Sequence, residues 1–155
     1  MPASMKKQPA ATAVRLVAAQ AADWPAISAL LVAAQLPLDG ALDHLPGFIV
    51  AFRNSDLIGS AALETYGPVG LLRSVAVTEA QRGSSVGSQL VHAIISRAKN
   101  AGLESVVLLT ETAHAYFPRF GFQEIDRSAI PEPVTMSIEF QSACPSSAAV
   151  MQLDL

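Results

Sequence analysis

The chain has a single cysteine, Cys144, so no internal disulfide is available to it. Charge is scarce: Asp, Glu, Lys and Arg make up 15% of the 155 residues, with 10 basic against 13 acidic side chains and a net charge of −3. That balance excludes general binding to nucleic acid or to an anionic membrane, which need a basic surface. An anionic ligand must therefore be held by local geometry. No apolar run reaches the roughly 18–20 residues of a membrane span. The first residues carry Lys6 and Lys7 but no apolar core like that of a secretory signal. Residues 1–12 read as a disordered tail, and the chain as cytoplasmic, without nucleic-acid or membrane partners. No His, Cys, Asp or Glu spacing points to a metal site. What is abundant is apolar: 51% hydrophobic residues, enough for one core in one domain over residues 13–155.

The most informative stretch is 71–90, LLRSVAVTEAQRGSSVGSQL. It reads as an apolar strand (71–77), a Gly- and Ser-rich loop (78–85) and the start of an amphipathic helix. Apolar residues at Leu90, Val91, Ile94, Ile95 and Ala98 form one stripe at helical period over 87–101, and Gly102 suits the position after the helix. Such a strand–loop–helix leaves backbone N–H groups unpaired at a helix N-terminus, where the dipole favours an anion such as a phosphate.

Elsewhere the pattern predicts a first strand (14–18), a helix capped by Asp23 and ended by Pro37, and a loop or short helix over LDGALDHLP. Strands follow at 47–53 and 57–65, with turns at Asn54-Ser55-Asp56 and Tyr66-Gly67-Pro68. Next come a buried strand (105–109), a short helix (112–119), a short strand (122–125), a helix (130–140) and a last strand (148–153). Hairpins come first and helix crossovers later, so the sheet is expected to be mixed.

Arg82-Gly83-Ser84-Ser85-Val86-Gly87 after Val75-Ala76-Val77, with Gly121-Phe122 downstream, resembles the GNAT acetyltransferases over nearly all of 14–155. Ser85 stands where the family motif has its first glycine. LTETAH before Gly121-Phe122 resembles the acetyltransferase domain of N-acetylglutamate synthases. LDHLPGFIVA, LLRSVAV and the tail Phe140-x3-Cys144-Pro145-x-Ser147-Ala148-x2-Met151 resemble the short acetyltransferases of arsenic-resistance operons (the ArsN type), and this likeness covers both ends of the chain. The resemblance implies an α/β (α+β) fold. Its central sheet of about seven strands is mixed, mostly antiparallel and flanked by helices, with strands 4 and 5 splayed apart.

It further implies acetyl-CoA in that cleft, without a metal. The backbone of Val75, Ala76 and Val77 would line the pantetheine arm. The N–H groups of Arg82, Gly83, Ser84, Ser85, Val86, Gly87 and Ser88 would hold the pyrophosphate. A left-handed backbone at Ser85 would be costlier than at glycine. Transfer to an amine needs a proton acceptor. Glu64 is the first candidate, a carboxylate ending an apolar strand where charge is expensive, and Glu111 the second. Tyr116 is the candidate acid. It stands one residue before the position where many GNAT enzymes have tyrosine, which is occupied by Phe117. That offset is about 100° of helix rotation and turns Tyr116 toward the core. Arg73, in an otherwise apolar run, is either half of a salt bridge or a guanidinium for a substrate carboxylate. His114, His44, Asp39 and Asp43 are further candidates for the acceptor wall.

One cysteine cannot build the thiolate cluster that trivalent arsenic favours. An arsenic-linked role would thus be acetylation of an amine, in an arsenic- or phosphorus-containing amino-acid analogue. The alternatives are glutamate acetylation in arginine synthesis and an acyl-CoA-binding module without turnover. The first is weakened because the chain carries no amino-acid-kinase-like domain. A homodimer is the default assembly.

Overall fold

A computed structural model describes residues 13–137 and 147–155. The expected tail at 1–12, Cys144 and the end of the expected helix at 130–140 lie outside the described residues. Among the described residues seven strands form one sheet: β1 (Val14–Ala18), β2 (Phe48–Arg53), β3 (Asp56–Tyr66), β4 (Val69–Val77), β5 (Ser105–Thr110), β6 (Gln123–Ile125) and β7 (Ala149–Asp154). Their order across the sheet is β1-β2-β3-β4-β5-β7-β6. Among the described strands only β4 and β5 run parallel; the other neighbours are antiparallel. The mixed, mostly antiparallel sheet is the one expected.

Two-residue turns join β2 to β3 and β3 to β4, with Asn54 (φ 58°) and Gly67 (φ 60°) in the left-handed region that such hairpins need. Helix α1 (Trp24–Ala33) covers one face of the sheet and α2 (Val86–Asn100) the other. Alternation along β2 sorts the core. Phe48 and Val50 pack with Ile27, Leu30 and Leu31 of α1. Ile49 and Ala51 pack with Leu90, Val91, Ile94 and Ile95 of α2.

Three local expectations change. Helix α1 stops at Ala33, before Pro37, because Gln35 takes a left-handed conformation (φ 59°). Asp23 accepts a hydrogen bond from the Gln20 N–H (2.8 Å) and makes no side-chain cap on α1. The segments read as helices over 112–119 and 130–140 contain 3-10 turns, at Phe117–Phe120 and Glu132–Met136. Pro118 in the one, and Pro131 and Pro133 in the other, remove the N–H groups that an α-helical ladder would use.

Candidate active site

Strands β4 and β5 pair only through Val69, Gly70 and Leu71 with Ser105, Val106 and Val107. Beyond that point β4 runs on to Val77 beside β3, while β5 runs on to Thr110 beside β7. The strands splay, and the gap is a cavity of about 660 Å³. Its walls include Leu72 to Val77 of β4, Leu108 to Thr110 of β5, and Gly83, Ser84 and Gly87 at the start of α2. Arg73, Arg82 and Arg119 border it, and among the described lining residues there is no carboxylate or imidazole. Arg82 and Arg119 give the cavity a local excess of positive charge, which suits an anion on a chain whose net charge is −3.

The β4 edge facing the gap is backbone. The Thr78 N–H bonds back to Ile58 (2.9 Å). By alternation, Val77 and Val75 present their N–H and C=O groups away from β3, toward the gap. The Val77 carbonyl accepts from Arg82 Nε across the loop (3.4 Å). The chain then enters α2, whose first N–H groups lack intrahelical acceptors and whose N-cap, Ser85, makes no side-chain cap. Ser85 has φ −85°, so serine costs nothing there; the left-handed residue of the loop is Gly83 (φ 84°). At Gly87 a Cβ would stand 3.2 Å from the Tyr116 hydroxyl and 3.5 Å from Val77 Cγ2, so a side chain there would fill the gap.

Ser74 interrupts β4. Its φ of 58° is left-handed, costing a non-glycine residue about 1–2 kcal/mol. The register slips here, Ala62 facing Arg73 but Ser60 facing Ala76. This is a β-bulge, with Ser74 and Val75 set against Ala61 alone. It inverts the facing of the strand: Leu72 packs on the α2 side, whereas Ala76 packs on the α1 side. Two side chains hold the bulge. The Ser60 hydroxyl donates to the Ser74 carbonyl (2.7 Å) and Arg73 Nε donates to Ser74 Oγ (3.1 Å).

Glu64 and Arg73 are both buried, and they meet. Arg73 Nη1 lies 2.9 Å from Glu64 Oε2. It also donates to the carbonyl of Asp39 (2.8 Å), while Nη2 donates to that of Pro37 (3.1 Å). Glu64 Oε1 accepts from Ser137 Oγ (2.7 Å) and from the Tyr66 hydroxyl. His44 Nε2 stands 3.8 Å away. Burial pushes the Glu64 carboxyl up, but the hydrogen bonds from Tyr66, Ser137 and Arg73 outweigh it and hold it below its ordinary value. The phenol of Tyr66 is pushed up to about 12 by burial and by its bond to Glu64.

Tyr116 does not turn into the core. It is half-buried on the cavity wall, with its hydroxyl toward Gly87. The rotation of 100° per residue fails because the residue precedes a 3-10 turn, and Phe117 takes the core position. Burial raises the phenol's pKa, partly offset by Arg119, so the group stays protonated at neutral pH. The Arg119 guanidinium lies 4.3 Å from the centre of the Tyr116 ring, and its Nε donates to the Tyr116 carbonyl (2.8 Å).

The model of the acetyltransferase (GNAT) family matches residues 14–122. The chain belongs to this family. An uncharacterized N-acetyltransferase of Chlorobaculum tepidum, CT2212, is 29% identical over 98 residues, a stretch covering 63% of either chain. Among solved structures, N-acetylglutamate synthase of Neisseria gonorrhoeae with coenzyme A and N-acetyl-glutamate superimposes with TM-score 0.79 at 22% identity. That match covers 92% of this chain and 35% of the synthase. Rv2747 of Mycobacterium tuberculosis, in complex with CoA and NLQ, gives TM-score 0.78 at 24% identity, covering 91% and 99%.

Against this GNAT frame the sequence candidates separate. Residues Val75, Ala76, Val77, Arg82, Gly83, Ser84, Gly87 and Tyr116 line one cavity, and Arg73 reaches it from the Glu64 pair. Ser85, Val86 and Ser88 belong to the same helix start. Glu111 and His114 are exposed and outside the cavity lining. His44 and Asp43 line a separate groove with Arg97, and the Asp39 side chain is exposed while its carbonyl serves Arg73. The sequence reading missed Ser60, Ser74, Tyr66, Ser137 and Arg119. Tyr66 had a signal, being two residues from Glu64 on the same strand face; Ser137, distant in sequence, had none.

Proposed function

We propose that the chain transfers the acetyl group of acetyl-CoA to the primary amine of a small, amino-acid-like molecule. The observation that carries this reading is the splayed cleft: a β4 edge that, among the described residues, has no strand partner on the β5 side along 72–77 and leads through the loop into the start of α2. Coenzyme A fits these residues. Val75 and Val77 offer backbone groups to an extended amide-bearing arm, Gly83 and residues 85–88 offer N–H groups to a pyrophosphate while those of Arg82 and Ser84 bond Glu79 and Gln81, and Gly87 leaves room between them. Arg82 and Arg119 add positive charge at the walls. When bound, acetyl-CoA supplies an acyl group activated as a thioester.

The residues divide the remaining work. The Val75 N–H faces the cavity and can donate to a carbonyl oxygen on which negative charge builds. Tyr116 keeps its proton and is the donor available to a departing thiolate. Glu64 has both oxygens engaged, so we assign it to holding Arg73. The amine then loses its proton to water. The acceptor end of the cleft is Ala34, Leu36 and Pro37 beside Arg73. The Arg73 guanidinium behind this wall is buried and already paired with Glu64; the apolar wall itself suits a compact amine. Glutamate and arsenic- or phosphorus-containing amino-acid analogues are of this class.

The test is thiol release from acetyl-CoA against glutamate, other amino acids, phosphinothricin, arsinothricin, polyamines and a peptide N-terminus. Turnover with a small amino acid or analogue is expected; turnover confined to polyamines or peptides would overturn the acceptor class. One observation favours a second reading, an acyl-CoA-binding module without turnover: the cavity lining has no carboxylate or imidazole among the described residues. Tight acetyl-CoA binding with no thiol release against any amine would establish it.

A further inference from the structure

We infer that Ser60 is a positioning residue that aims the Val75 amide at the reacting carbonyl. The inference rests on the acetyl-CoA reading above and adds a role for a side chain outside the cavity lining. A trans peptide carries its C=O and its N–H on opposite sides. The Ser74–Val75 peptide has its carbonyl drawn to the Ser60 hydroxyl on β3 (2.7 Å), so its N–H points away from β3, toward the gap that β5 leaves. Regular pleating would not give this arrangement. It needs Ser74 at φ 58°, a conformation serine seldom adopts, inside a strand.

Something must hold that conformation, and Ser60 is placed to do so. It is wholly buried, on the strand facing the bulge, and its hydroxyl reaches the carbonyl that the bulge turns out of the ladder. A hydroxyl in an otherwise apolar row of β3, between Gly59 and Ala61, needs a partner, and the bulge needs a donor; each answers the other. Arg73, through its bond to Ser74 Oγ, holds the side chain of the same residue. Strain kept at a site by surrounding contacts is a common feature of catalytic geometry.

The test uses the full chain and acetyl-CoA carrying carbon-13 at the thioester carbonyl, without an acceptor. Infrared spectroscopy reads the hydrogen bond to that carbonyl, and calorimetry reads binding. For the natural chain the band of bound acetyl-CoA is expected below that of the free compound. In Ser60→Ala the band should return toward the free position while coenzyme A affinity stays within about threefold. Ser60→Thr, which keeps the hydroxyl, should restore the shift. Ser60→Cys, a near-isosteric and weaker donor, should give an intermediate shift, and it carries the test if Ser60→Ala does not fold. A full natural shift in Ser60→Ala or Ser60→Cys would overturn the inference. Failure of the natural chain to bind acetyl-CoA would instead overturn the cofactor assignment beneath it.

Discussion

At the scale of single residues, Gly87 and Glu64 give the sharpest tests. Gly87 faces Tyr116 across the cavity, and any Cβ enters contact distance of the phenol. Gly87→Glu adds both bulk and negative charge where an anion is to bind. It should abolish acetyl-CoA binding by calorimetry while circular dichroism stays that of the folded chain; unchanged affinity would refute the cofactor site. Glu64 tests the proton path. A general base leaves its own ionisation in the pH profile of kcat/KM. Because its oxygens are held by Arg73, Tyr66 and Ser137, Glu64→Gln should lower the whole profile without removing a limb. It should also cost about 3 kcal/mol of stability by taking the carboxylate away from the buried Arg73 guanidinium, read by denaturant unfolding. Glu64 and Arg73 were both conspicuous in the sequence as charges in apolar strands. Their pairing was not, because it depends on two strands lying side by side at one register, with Glu64 opposite Leu71 and Arg73 opposite Ala62.

At the scale of elements, periodic apolar patterns located α2, β2, β3 and β5 within a residue or two, since burial on one face leaves its period in the sequence. The bulge in β4 left no such trace: LLRSVAV alternates nowhere, and serine is not the residue a left-handed position favours. Short 3-10 turns were also misread, because proline spacing rather than apolar period determines them. The loop before α2 was legible as a helix start, and this gives a prediction in which stability and binding part company. Ser85 is the N-cap, where aspartate is as favourable as serine. Ser85→Asp should therefore leave the melting temperature unchanged or raised. Its charge at the positive end of the helix would oppose a pyrophosphate, and acetyl-CoA affinity should fall about tenfold at low ionic strength, less in high salt. Equal affinity for both chains would mean that the start of α2 does not hold the anion.

At the scale of the whole molecule, one polar network joins parts that the chain keeps far apart. Glu64 and Tyr66 come from β3 and Arg73 from β4. The carbonyls of Pro37 and Asp39 belong to the segment after α1, and Ser137 follows the late 3-10 turn. Folding brings these groups out of water together, so their protonation is linked to stability. The Glu64 carboxyl lies below its ordinary value of 4.5 in the folded chain. The unfolded chain therefore takes up its proton first as pH falls. The stabilisation is whole above 4.5 and is lost as pH drops toward the folded value. Tyr66 has the opposite sign, with its ordinary 10.0 pushed up to about 12. The unfolded chain releases that proton first, so the stabilisation is whole below 10 and is lost as pH rises toward 12. Melting temperature against pH should thus show a plateau with an acid and an alkaline shoulder. Tyr66→Phe separates the two ends. It lowers the plateau by about 1–2 kcal/mol through the lost hydrogen bond and removes the alkaline contribution of this phenol. The variant's loss of stability between pH 10 and 12 should be smaller than that of the natural chain. Equal losses would mean that Tyr66 is not coupled to Glu64 in solution.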